Sequence, residues 1–158
     1  MTDARFEDGD DQPLRLIAQD AEGVQIFATL LQDAVFPTTE MAYAARRRRF
    51  ALMLNRFRWE DRAAAERSGR KFERVQSLLV FEDVLAVRTT GIDRADPKTI
   101  LSLLEIAYAA GEDGTGTVTL ILAGDGAIAL TVETLDATLR DVTRPYLAPS
   151  GKAPTHPH

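Results

Sequence analysis

Apolar and polar positions alternate through most of the chain, and the two-residue period of a strand is far commoner than a helical one. "LRLIA" at residues 14–18 reads as a short strand. The period then changes. Val24, Phe27, Ala28 and Leu31 stand at i, i+3, i+4 and i+7, which predicts a helix capped by Asp20, with Pro37 beyond its end. "EMAYAA" and "RRFALMLNRFRW" return to the two-residue period and predict two strands joined by an arginine turn. In the second, Phe50, Leu52 and Leu54 share a face while Phe57 and Trp59 fall on the other. Such a slip predicts a bulge near Asn55 or Arg56, or burial on both faces.

Beyond it, "DRAAAERSGRK" at residues 61–71 is polar and reads as a short helical turn or a loop. "RVQSLLVFEDVLAVRTTGI" is too long for one strand and divides around Glu82 and Asp83. "ILSLLEIAYA", "TVTLILA" and "AIALTVE" form a meander turned by the glycine-rich "GEDGTG" and "GDG". Thr134 is placed to cap a last helix with Leu135, Leu139 and Val142 on its buried face. These elements predict an α+β fold. About seven mainly antiparallel strands would form a sheet or partly closed barrel, with a strand and helix before it and a C-terminal helix after it. That order is similar to the pleckstrin-homology layout, and a likeness of layout carries no function.

The flanks differ from the body. Residues 1–12 carry Asp3, Glu7, Asp8, Asp10 and Asp11 without apolar periodicity, and are expected to be a disordered acidic arm. Residues 148–158 are expected to be a disordered Pro-rich tail that holds both histidines, His156 and His158. A single globular domain over 13–147 remains, long enough to bury about two-thirds of the surface its unfolded form exposes. With no cysteine, disulfides, thiolate nucleophiles and Cys-based metal sites are excluded. The polar start is unlike a secretory signal, and no apolar run approaches the roughly 20 residues of a membrane span. The cytoplasm is the expected location.

Four stretches, "LRLIAQDAEGVQIFATLLQDAV", "RRFALMLNRFRWE", "FEDVLAVRTTGIDR" and "GTVTLILAGDGAIALTVETLDATLRDV", together resemble the bacterial domain-of-unknown-function family 2948 (DUF2948). The resemblance spans about residues 13–142, and the arginine-rich block is its most specific part. It implies a small stand-alone cytoplasmic protein and brings no activity with it.

The chemical inventory is poor in catalytic groups. A body without histidine or cysteine offers no Ser-His or Cys-His arrangement and no His-based zinc site. None of the four serines lies in a G-x-S-x-G turn, and no phosphate-binding G-x-x-x-x-G-K-[ST] loop occurs. Glu60/Asp61, Glu82/Asp83 and Asp93/Asp96 supply acids, but neighbours on a strand point to opposite faces. No cofactor or metal is expected. An enzyme using carboxylates is the least favoured of three readings.

Charge narrows the remaining two. The net charge is −5, yet residues 40–74 hold eleven Lys and Arg against five Asp and Glu. Such a chain would not bind nucleic acid indiscriminately, but a local anion site is compatible with it. The candidates are Arg46, Arg47, Arg48, Arg49, Arg56, Arg58 and Trp59, whose planar forks and ring suit phosphate and a stacked base. The competing account puts Arg46 and Arg47 in a hairpin turn, Arg48 and Arg49 at a strand start, and Arg56 and Arg58 on a solvent face. Phe57 and Trp59 would then be core, and Glu60, Asp61 and Glu82 would neutralise part of the charge. A phosphate cradle needs at least two converging arginines, and a stacking platform needs an exposed Trp59. The favoured function is a non-catalytic module acting through protein contacts, most simply as a homodimer. The alternative is a weak phosphate or RNA binder.

Overall fold

The computed structural model describes residues 13–69, 73–93, 95–143 and 146–147. The expected acidic arm and Pro-rich tail, with both histidines, lie outside the described residues. β1 spans Arg15–Ala18. Asp20 ends the extended run, and its carboxylate accepts the Gly23 N–H at 2.8 Å to start α1 (Ala21–Leu30). Val24 and Phe27 of α1, with Leu31 just after it, pack into the core. There follow β2 (Val35–Pro37), β3 (Met41–Ala44), β4 (Arg49–Phe57) and α2 (Arg62–Ser68). β5 (Glu73–Phe81), β6 (Val84–Thr90), β7 (Ile100–Ala110), β8 (Gly116–Leu122) and β9 (Ala127–Val132) come next. β10 (Ala137–Asp141) and β11 (Tyr146–Leu147) end the described chain.

The strands form one sheet in the order β1-β10-β5-β4-β2-β7-β8-β9-β6, with β11 on β5 and β3 on β4. Its pairings are antiparallel. Three-residue β2 is the hinge between two half-sheets, with Val35 opposite Asn55 of β4 on one side and Ser102 of β7 on the other. Phe50, Leu52 and Leu79 of one half and Val118, Leu120 and Leu130 of the other belong to a single buried cluster. Burying that shared cluster is the main stabilising term.

This architecture corrects the expected fold class. Eleven strands are present among the described residues, where about seven and one N-terminal strand are expected. The sheet is open: among the described residues β1 pairs only with β10 and β6 only with β9, so neither the partly closed barrel nor a pleckstrin-like closing helix describes it. The segment expected to be the C-terminal helix is strand β10. Ala137 lies opposite both Ala18 of β1 and Phe81 of β5, so this segment satisfies its backbone on two flanking strands that a helix would leave unpaired. Leu135 and Leu139 are buried as expected, whereas Val142 is exposed. Thr134 caps nothing; its hydroxyl donates to Asp83 Oδ2 at 2.8 Å.

Of the two expectations for the phase slip in β4, burial on both faces holds: Arg56 and Phe57, on opposite faces, are both buried, and the register on β5 is unbroken from Phe50 opposite Phe81 to Phe57 opposite Arg74, with no bulge. The irregularities fall between Val84 and Ala86 and between Leu103 and Glu105. The second turns Leu104 and Glu105 toward solvent within β7, which has neighbours on both sides.

Candidate functional site

The arginine block divides: Arg46 to Arg49 stay at the β3-β4 turn, while Arg56 and Arg58 both reach Glu60. Arg46 and Arg47 lie in a 3-10 turn between β3 and β4, exposed and without an ion pair among the described residues. Arg48 takes a left-handed backbone (φ 53°) and donates to Glu133 Oε1 at 2.8 Å. Arg49 Nε stands 3.1 Å from Glu82 Oε2. Arg56 and Arg58 are buried, which corrects the expectation that they share a solvent face. Trp59 Nε1 donates to the Gln32 carbonyl at 3.0 Å; its half-buried ring stands 5.8 Å from Phe57, with the Arg62 guanidinium 5.7 Å from its centre. The Phe57 ring takes the Arg74 guanidinium at 3.9 Å.

Arg56 is where the alternation of β4 leads. Phe50, Leu52, Leu54 and Arg56 occupy successive inward positions, and the fourth has 0% exposure. Neighbouring strands place polar groups in the same inward rows, Ser77 on β5 and Asp141 on β10, with Val75 opposite Arg56 completing the β5 row. The guanidinium therefore meets a prepared set of acceptors. Nη1 and Nη2 each donate to one oxygen of Glu60 at 2.9 Å, Nη2 also to Asp141 Oδ1 at 3.0 Å, and Nε to Ser77 Oγ at 3.0 Å. Nη1 further donates to the Phe57 carbonyl at 3.1 Å. Ser77 Oγ donates to Asp141 Oδ1 at 2.7 Å, and the Leu14 N–H to Asp141 Oδ2 at 2.8 Å. Arg58 pairs with Glu73 and lies 3.9 Å from Glu60. Burial opposes the charge on Arg56, but Glu60 and then Asp141 outweigh it and hold the guanidinium above its ordinary pKa. Glu60 is likewise opposed by burial, yet Arg56, assisted by Arg58, holds its carboxyl below its ordinary value. These acids are committed to arginine, and the cluster is a polar plug at the end of the core.

The outer face of the β1-β10-β5-β4-β2 half is the other feature. Register aligns Arg15, Arg140, Leu78 and Met53 in one row across it, and Ile17, Thr138, Val80, Ala51 and Ala42 in the next. Beside the first row lies a cleft of about 500 Å³, lined by residues that include Val35, Pro37, Glu40, Met53, Asn55 and Val142. It forms where β2 leaves β4 after a single pairing and the chain returns as β3. Ile17 is 66% exposed on this face, and Ile100, on the cleft wall, 61%. Asn55 accepts from Arg74 Nε in that wall, so its amide is tied to a side chain instead of a bulge.

Residues 14–156 match the model of a family described as a protein of unknown function, DUF2948. The chain belongs to that family. No curated protein and no solved structure matches it, so what this DUF2948 protein can do is read from its side chains. Among the described residues lining the cleft Glu40 is the one acid or base, and the Thr143 hydroxyl there accepts the Gln76 N–H at 3.0 Å. Among the described residues no group of three or more His, Cys, Asp or Glu is placed to hold a metal ion, and no helix is long and apolar enough to cross a membrane. Sequence reasoning singled out Arg56 but misplaced it, and it missed the outer face. Extending the inward alternation of β4 by one step points to Arg56; the face required the strand order.

Proposed function

We propose that this DUF2948 protein is a non-catalytic module that acts through protein contacts made by the outer face of β1, β10, β5, β4 and β2. The observation that supports this is a largely apolar sheet face, on which Ala51, Met53, Leu78 and Val80 are half-buried and Ile17 is exposed, with an adjoining cleft. A contiguous exposed apolar patch is costly in water and marks a docking surface when polar residues rim it. Here the rim is Arg15, Arg140, Gln76, Asn55 and Glu40.

A peptide-display selection on the full chain, with Leu78→Glu/Met53→Glu as the counter-bait, tests the reading. Peptides held by the natural sequence and lost on the variant are the expected result. Recovery of none, or of peptides held equally by both, would sink it.

A further inference from the structure

Resting on that reading, we propose that the occupant of this face is a second copy of the chain, related by a two-fold axis that lies in the interface and runs along the strands. The first indication is charge. Arg15 and Arg140 are directly opposite one another on antiparallel strands, both exposed, and neither forms an ion pair among the described residues. Like charges in that position repel. At the other end of the same row stands Glu40, which ends a 3-10 turn just before Met41, the partner of Leu52. Glu40 and Met53 line the same cleft, and Glu40 too is exposed and has no ion pair among the described residues.

The row thus reads cation, cation, Leu78, Met53, carboxylate. A two-fold axis along the strands, between Leu78 and Met53, reverses this row on the facing copy. Arg140 then meets the partner's Glu40, and Leu78 meets the partner's Met53. The adjoining row of Ile17, Val80, Ala51 and Ala42 adds apolar contact on the same face. Such an isologous contact closes at two copies and leaves no further patch of the same kind. With the axis there, four strands of each copy overlap, about 20 Å at the usual strand spacing of roughly 4.8 Å. So narrow a contact buries little area, and the dimer is concentration-dependent.

Sedimentation velocity on the full chain over a wide dilution series tests this. The expected mass is twice the 17.4 kDa of one chain at high concentration, falling to one chain on dilution. Arg15→Glu/Arg140→Glu, which sets an acid at 140 against the partner's Glu40 and another one strand beyond it, should weaken dimerisation by about tenfold or more, and adding Glu40→Arg should recover most of the loss. Arg15→Gln/Arg140→Gln should give a smaller shift and guards against a folding failure. A monomer at every concentration, a dimer indifferent to these charges, or no recovery in the triple variant would overturn the proposal. A dimer lost with Leu78→Glu but indifferent to charge would overturn the two-fold arrangement while leaving the docking face standing. A monomer whose peptide selection still depends on Leu78 would do the same.

Discussion

Arg56 shows how a single residue can carry a cost and a function in the fold together. Removing a guanidinium from water is expensive and is offset only when its donors find acceptors. Glu60, Asp141, Ser77 and a main-chain carbonyl supply them. Arg56→Ala should therefore destabilise by about 3–5 kcal/mol in urea unfolding, because it strands Glu60 and Asp141 beside the core. Replacing the set together, as Arg56→Met/Glu60→Gln/Asp141→Asn, should cost less than the single change; a larger cost would contradict the desolvation account. Acid provides a second probe. The folded-state pKa of Glu60 is depressed, so its contribution is present above the unfolded value of about 4.3 and is lost as pH falls through the folded one. The stability gap between the natural chain and Glu60→Gln should be level at neutral pH and shrink below about pH 4.3. A gap that persists unchanged to strong acid would remove Glu60 from the cluster's energetics.

At the scale of elements, local chemistry and sheet context divide the outcome. The Asp20 cap and α1 were legible because a carboxylate three residues before an N–H acts without help from distant chain. Asp20→Ala should cost about 1 kcal/mol. Thr134 has the same apparent capping chemistry but sits before a strand, so Thr134→Ala should change stability by less than about 0.5 kcal/mol. A loss as large as that at Asp20 would mean that the Thr134 hydrogen bond to Asp83 contributes as much as a helix cap. The difference lies in the neighbours. Leu135 and Leu139 suit a helix by spacing, yet β1 and β5 present unpaired edges to this segment and convert it into β10. β2 was illegible for a related reason: three residues carry no period, and pairing with β4 and β7 alone makes them a strand.

For the whole molecule, the decisive fact is which face of each strand looks inward. Leu79 is fully buried, while its neighbour Leu78 lies on the outer face. Leu79→Ala should cost about 2–5 kcal/mol, and Leu78→Ala under about 1 kcal/mol when measured at a dilution that keeps the chain monomeric. Equal losses would mean that the outer face is covered within one chain, which would also remove the surface on which the proposed dimer depends.

The amino-acid sequence by itself determined the preference for antiparallel strands, the capped first helix, the glycine turns of the meander and the absence of cysteine and histidine chemistry from the body. All of these depend on residue type or on spacings of a few positions. Tertiary structure decided the rest. It made a strand of the last predicted helix, buried Arg56 by bringing Asp141 to it across 85 residues, and turned Leu78, Met53 and Val80 to the sheet face opposite Leu79. Each of those outcomes depends on which segments become neighbours, and pairing across the sheet settles that where local periodicity cannot.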